Sequence, residues 1–539
     1  MLQATLLPDL ITLAAQQRPL AVALSQGHAH WNYAALHEAV TRVAAGLMQL
    51  GVERADRVGI YLEKRFEAVA ASFAAPLAGA AFVPINPVLK AQQVAHILRD
   101  CNVRVLVTSP ERLALLAPVL SSCPDLRHVV LCAPGADVHA APATAHVSTT
   151  FWQDLLCAPP QSGHRVIDTD LAAILYTSGS TGQPKGVMLS HRNLMTGAAS
   201  VASYLENQPD DVLLAALPLS FDAGFSQLTT AFLVGARVVL LNYLLPRDVL
   251  KTLDREKVTG MTAVPPLYLQ LINAEWPEGA GRSLRYWANT GGHMPQAALA
   301  KLRQRLPQAK PFLMYGLTEA FRSTYLPPQE VDRKPNSIGK AIPNAEVLVL
   351  RPDGTPCAAD EPGELVHRGP LVALGYWNDA AKTAERFKVL LTGTPGRPAG
   401  LQLPEVAVYS GDTVRQDVEG FLYFVGRRDE MIKTSGYRVS PTEVEDIIYA
   451  TGLVNECVAF GVPHAGLGQA IQIIATNACN TRATGQNDLI NECRTRMPTY
   501  MVPANVAWVS GPLPRNANGK IDRAGLASDW LARPTSAPL

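Results

Sequence analysis

The stretch 176-YTSGSTGQPKG-186 decides how this chain is read. Gly179, Gly182 and Gly186 let a backbone approach a ligand closely. Thr177, Ser178, Ser180 and Thr181 add hydroxyl and N–H donors, and Lys185 adds a cation. Together they are the ingredients of a phosphate cradle. The string is not a Walker loop, because Pro184 precedes the lysine and Gly186 follows it. A flexible Gly/Ser hairpin is the plainer alternative, and the full string argues against it.

Working outward, the apolar strand Leu171–Leu175 precedes the string and a helical pattern starts near Arg192. Farther out, Arg57–Tyr61, Phe82–Ile85, Arg104–Val107 and His128–Leu131 read as strands. Tyr33–Leu50, Glu67–Ala75 and Ala91–Asp100 read as the helices between them. That alternation predicts an α/β fold of parallel sheets covered by helices. Residues 133–145 and 392–404, rich in Gly, Pro and Ala, are expected loops. Near residue 426 the pattern changes: Gly426-Arg427-Arg428-Asp429 follows a strand at Phe421–Val425, and a compact αβ segment comes after. A large domain over 1–427 and a small one over 428–539 are therefore expected.

A chain of 539 residues exceeds one ordinary core. Hydrophobic residues at 48% against 17% charged place it among globular proteins. Its 47 basic and 46 acidic residues leave a net charge of +1, with no basic field to gather nucleic acid. The eight cysteines form no C-x-x-C pair and no zinc spacing, so reduced thiols in the cytoplasm are expected. Residues 1–19 lack a basic leader and carry Asp9, unlike a signal peptide. The apolar run from Ala68 to Ile85 is broken by Pro76, Gly79 and Pro84, which suits a packed helix and a buried strand rather than a membrane span.

Further motifs follow the phosphate string in order: 217-LPLSFD-222, 289-NTGG-292, 315-YGLTE-319, 363-GEL-365 with 375-GYW-377, 409-YSGD-412, 426-GRRD-429 with 433-KTSG-436, and 518-NGKIDR-523. This set resembles the adenylate-forming (AMP-binding) superfamily of acyl-CoA synthetases, peptide-synthetase adenylation domains and luciferases. The resemblance runs from about residue 10 to 525. It implies a large N-terminal domain of helix-covered mixed and parallel sheets with a β-subdomain, and a small mobile α+β C-terminal domain. The implied reaction uses ATP and Mg²⁺ to turn a carboxylic acid into an acyl-adenylate, then passes the acyl group to a thiol.

Residue roles follow from the resemblance alone. Thr177, Ser178, Gly179, Ser180, Thr181, Gly182 and Lys185 would hold the β- and γ-phosphates. Gly291, Gly292, His293 and Tyr315 would form the adenine slot, with Tyr315 stacking on the base, and Gly316 would also bind ATP. Thr318 would touch the α-phosphate and Glu319 would hold Mg²⁺, an ion suited to one carboxylate plus phosphates. Asp412 would bind the ribose hydroxyls, with Arg427 beside it. Lys520 would offset the repulsion of two anions as the carboxylate attacks the α-phosphate. Asp429 matches the hinge, and Lys433 and Gly436 would face the site for thiol attack after a domain swing.

The acid is less legible. By motif offset the pocket comprises Phe221, Asp222, Ala223, Ser226, Leu267, Asn289, Gly291, Met314, Arg322 and Ser323. Asp222 either pairs with a substrate ammonium, as in the amino-acid-activating branch, or serves the following helix as an ordinary N-terminal Asp. Arg322 either meets a second substrate carboxylate or pairs within the protein, with Glu319 or a loop carboxylate. The acceptor is CoA or the phosphopantetheine arm of a carrier protein, expected to be separate because no carrier segment follows Arg523. A non-catalytic nucleotide sensor is the rival class, and the presence of Lys520, Glu319 and Asp412 argues against it.

Overall fold

The structure, a computed structural model, describes residues 4–133, 147–177, 184–292, 294–391, 394, 396–398, 400–427, 430–434, 437–464, 467–477, 485–516 and 519–532, with side chains omitted at 433, 437 and 438. Two sheets form the body. The first has seven strands, in the spatial order Ser148–Phe151, His128–Leu131, Val105–Thr108, Arg57–Tyr61, Ala81–Pro84, Leu171–Thr177 and Lys185–Ser190. All its pairings are parallel except the last. The second has nine strands, with a parallel centre of Lys310–Tyr315, Tyr286–Asn289, Gly260–Ala263, Val212–Ala215, Arg237–Leu240 and Val22–Gln26.

The main core lies between these sheets. Helices Phe66–Ala78 and Asp222–Val234 are buried on nearly every side, and their side chains are small enough to allow it. The alanine-rich run read as helix plus buried strand is that: Phe66–Ala78 followed by Ala81–Pro84. Among the described residues no helix is long and apolar enough to cross a membrane. The opposite face of the nine-stranded sheet has its own core, built around Trp287, Tyr268 and Leu267.

Two smaller sheets follow. Glu346–Leu350, Gly363–Arg368, Phe387–Val389, Val406–Gln416 and Leu422–Arg427 form an antiparallel sheet of five strands. The next strand, Ile432–Thr434, belongs to another sheet, with Tyr437–Val439, Val454–His464, Gly468–Asn477 and Asn505–Trp508. The chain thus changes sheet between Arg427 and Ile432. The fold is the α/β architecture anticipated, with its β-subdomain and small α+β terminal part.

The helix expected near Arg192 begins at His191, and a strand that the sequence reading does not single out lies between it and the phosphate string. That strand, Lys185–Ser190, is antiparallel to Leu171–Thr177 with Thr177 opposite Lys185. The helix is capped by the Ser190 hydroxyl accepting from Asn193 N–H. The string therefore links two paired antiparallel strands, and its residues 178–183 lie outside the described residues.

Candidate active site

The parallel strands at the centre of the nine-stranded sheet run the same way, and in open α/β sheets a ligand usually lies beyond their carboxyl ends. After Asn289 comes Gly291, with φ of +76°, a conformation natural to glycine. A Cβ there would lie 3.3 Å from Lys520 Cε and 3.5 Å from Phe221 Cζ. Lys520, in the segment that follows the strand Asn505–Trp508, thus comes beside the Gly291 turn that follows Asn289. Its loop is braced from below: Asn516 and Lys520 exchange backbone and side-chain hydrogen bonds, and Arg515 pairs with the buried Glu456. Crowding around the ammonium lowers the Lys520 pKa, opposed first by the negative charge of Asp222. The residue as a whole keeps an exposed flank, so solvent in the open cleft tempers that desolvation.

Asp412 sits on Val406–Gln416, opposite Arg427. One carboxylate oxygen accepts from the Tyr315 hydroxyl at 2.5 Å. The other lies 3.4 Å from Arg427 Nε and, among the described residues, is buried without a hydrogen bond. Burial raises the Asp412 pKa, with Arg427 opposing. An orphaned buried acceptor of this kind fits a ligand that brings hydroxyl donors. Beside it, Gly411 at φ +74° leaves room for Arg386, whose Nη1 would lie 2.1 Å from an added Cβ.

Glu319 lies after Tyr315 in the same loop, and its Oε1 accepts from the Tyr376 hydroxyl at 2.6 Å. Lys185 Nζ stands 6.0 Å from the Tyr376 ring centroid. Backbone bonds from Met188 to Gly375 and from Trp377 to Gly186 stitch the phosphate hairpin to this segment. Hairpin cation, tyrosine and carboxylate are therefore held as one unit. Among the described residues no cluster of three or more metal-ligating side chains exists, so Glu319 offers a single carboxylate.

Asp222 and Arg322 meet each other. Arg322 Nη1 lies 3.3 Å from Asp222 Oδ2, and both side chains are only 4% exposed. The second Asp222 oxygen accepts from Ala223 N–H at 2.7 Å. Asp222 occupies the first position of its helix rather than the capping position, which belongs to Phe221. Arg322 pairs with neither Glu319 nor a loop carboxylate but with the other residue in question. Next to it, Phe321 holds a strained φ of +54°, and Ser323 shares a 3.0 Å hydrogen bond with the fully buried His367.

Residues 11–377 match the family described as AMP-binding enzyme, and 443–520 match the AMP-binding enzyme C-terminal domain. The chain belongs to the AMP-binding enzyme family. It is 31% identical to an L-proline--[L-prolyl-carrier protein] ligase of Pseudomonas fluorescens, over 92% of this chain and 93% of that one. It is 31% identical to a feruloyl-CoA synthase of an Amycolatopsis species, over 94% and 95%. It is also 30% identical to part of a linear gramicidin synthase of Brevibacillus parabrevis, covering 95% of this chain and 6% of that much longer protein. The anthranilate CoA ligase in complex with anthranoyl-AMP shares the fold, with a TM-score of 0.86 at 24% identity over 98% of each chain. The class anticipated from the motifs, an adenylate-forming acid–thiol ligase, is that of its full-length relatives.

In this AMP-binding enzyme the contacts join Lys520 to Gly291, Asp412 to Tyr315 and Arg427, and both Glu319 and Lys185 to Tyr376. Ser178 to Gly182, His293, Asp429 and Gly436 lie outside the described residues, and of Lys433 only the backbone is described. A small cavity brings together Ala223, Ser226, Met314 and Arg322 of the expected pocket. Leu267 is not among its walls, since it packs into the core on the other face of the sheet. Asn289 instead holds the Gly292 carbonyl at 2.9 Å. Sequence reasoning does not single out Tyr376, Arg386 or Glu456. Tyr376 stands inside the quoted GYW motif, which was the available signal; Arg386 and Glu456 belong to no motif.

Proposed function

We propose that the protein joins a carboxylic acid to a thiol at the expense of ATP, in two half-reactions at one cleft. In the first, the acid's carboxylate attacks the α-phosphorus of ATP, giving acyl-adenylate and pyrophosphate. In the second, a thiolate displaces AMP and carries off the acyl group. The observation that carries this reading is the meeting of Lys520, from the segment after the strand Asn505–Trp508, with the Gly291 turn. A cation at that point faces both anions of the first step and offsets the charge that builds on the phosphate.

Asp412, with its orphaned oxygen, suits the ribose hydroxyls, and the Lys185 hairpin suits the terminal phosphates. Glu319 would hold Mg²⁺ together with those phosphates, and the ion would supply charge neutralisation of the leaving pyrophosphate. Residues 428–539 would then swing about Asp429, bringing Lys433 and Gly436 to the cleft for the thiol. The change of sheet between Arg427 and Ile432 supports a pivot there. The acceptor is CoA or the phosphopantetheine of a separate carrier protein, and action in the cytoplasm belongs to the same reading.

For the acid, one observation favours a substrate without an α-ammonium. Asp222 already has Arg322 as partner and Lys520 as neighbour, so an ammonium would enter as a third cation. The amino-acid reading requires Arg322 to release Asp222. A panel measurement tests the whole proposal: pyrophosphate release with hydroxy acids, aryl acids, dicarboxylic acids, fatty acids and amino acids, each with and without CoA. We expect release with a non-amino acid. Silence across the panel overturns the ligase reading, and a clear lead for amino acids overturns the assignment of Asp222.

A further inference from the structure

The strand Val454–His464 shifts register near its start, where Val454 pairs with Asn477 and Glu456 with Thr476. Glu456 lies just past that shift, 6% exposed, and its N–H donates to Thr476 Oγ1 at 3.0 Å. Both of its carboxylate oxygens turn to the segment that carries Lys520. Oε2 accepts from the N–H of the buried Leu513 at 2.7 Å, and Oε1 accepts from Arg515 Nη2. The other arm of that guanidinium, Nη1, donates to the Gly519 carbonyl at 3.1 Å. Asn516 takes the opposite side of the same peptide, its Oδ1 accepting the Lys520 N–H at 3.1 Å. The Asn516 N–H in turn donates to the Lys520 carbonyl at 2.8 Å. A continuous line of bonds thus runs from a buried carboxylate, through one guanidinium, to the Gly519–Lys520 peptide.

A buried ion pair adds little net stability, and apolar side chains of similar volume often serve a core as well. What they lack is direction. A guanidinium holds its donors in a rigid plane, so fixing one edge on Glu456 fixes where the other edge meets Gly519. We infer that Glu456 and Arg515 are positioning residues for Lys520, holding the peptide at its root so that its ammonium arrives beside the Gly291 turn. The inference rests on the role proposed for Lys520 in adenylate formation and adds what keeps the lysine in place. A lysine stem is flexible and rich in rotamers, so an anchored backbone narrows the space its ammonium searches. Misplacement by about 1 Å, caused far from the reacting atoms, can cost about 10²-fold in rate.

The test is a mutant cycle, read by single-turnover formation of acyl-adenylate with the acid that releases most pyrophosphate in the panel above. Arg515→Met keeps the length of the side chain and removes the fork. It is expected to slow adenylate formation by about tenfold or more, though no further than Lys520→Ala does. The ATP concentration that gives half the maximal rate should stay within about twofold of the parent's, because the lost interaction belongs to the transition state. Added to Lys520→Ala, the same change is expected to alter the remaining rate by less than about twofold, since it acts only through the missing ammonium. Arg515→Met leaves the Glu456 charge buried and alone, so Glu456→Gln combined with Arg515→Met serves as a second variant. Its neutral amide still accepts from Leu513, and thermal melting checks that both variants fold. Unchanged adenylation in the folded variants overturns the inference. Equal slowing with and without Lys520 also overturns it, by assigning the pair to general support of the fold. A Lys520→Ala enzyme as fast as the parent overturns the role of Lys520 and the inference with it, and no adenylate from any acid overturns the ligase reading itself.

Discussion

Lys520 stands beside Gly291 and Phe221, and on the proposed function removing its ammonium would leave the incoming carboxylate to face the α-phosphate alone. Lys520→Ala is expected to slow adenylate formation by roughly 10²-fold or more, the scale of losing one preorganised charge stabiliser. Transfer to thiol from a supplied acyl-adenylate should fall much less, and equal losses in both steps would refute the role. Asp222 and Arg322 call for a different measurement. Each is buried, so Asp222→Ala or Arg322→Ala leaves an uncompensated charge and should destabilise the fold by about 3–5 kcal/mol in urea denaturation. Replacing both at once should recover much of that loss, and additive losses would show that the pair does not couple. Both residues stood out in the sequence because of their place near the motifs. Their partnership did not, because they are a hundred residues apart and only the fold joins helix start to loop.

Helices and strands bring their own dependence on pH. His191 opens the helix His191–Tyr204 and accepts the Leu7 N–H at its Nδ1, pinning the first segment of the chain to the body. His367 lies wholly buried in Gly363–Arg368. Burial holds both rings down, to about 4 in each case. Between that value and the ordinary one of about 6.5, the unfolded chain binds protons that the native rings refuse. Stability contributed by these rings is therefore complete above about pH 6.5, declines as pH falls, and levels off below about 4, a total of roughly 3 kcal/mol per ring. Urea midpoints from pH 6.5 to 5, where ordinary carboxylates stay ionised, should show the upper part of this decline. His367→Leu should flatten it, and an unchanged slope would assign the titration elsewhere. Nothing in the sequence around His367 marks it, since a lone histidine in a short strand carries no period. The return strand Lys185–Ser190 is hidden for a related reason: Pro184 and Gly186 at its start look like turn residues, and its pairing is with Leu171–Thr177 rather than with anything local.

At the scale of the molecule, Lys520 belongs to the small part of the chain and most other cleft residues to the large one. Asp429→Pro should restrict the pivot by fixing φ near −65° and removing an N–H. Adenylation is expected to survive in part while the complete reaction slows by at least about tenfold, near 1.4 kcal/mol of barrier. Normal overall turnover in that variant would place the pivot elsewhere. The two-part organisation was legible because strand and helix periods and motif order are written locally. Motif offsets put Ala223, Ser226, Met314 and Arg322 together, and the fold sets all four along one small cavity, whereas Leu267 packs on the other face of the sheet, which only the fold reveals.

The buried pair also governs how such a site can change over generations. A lineage shifting to an acid of different charge must alter Asp222, Arg322 or both. The first change alone forfeits about 3–5 kcal/mol, against a total margin of about 5–15 kcal/mol for most domains. Many backgrounds cannot survive that intermediate. On the proposed function, exchange of acids that respect the pair needs no such step. Descendants of this enzyme should therefore diversify readily in the far end of the acid and rarely in the charge beside its carboxylate, unless stabilising substitutions elsewhere come first.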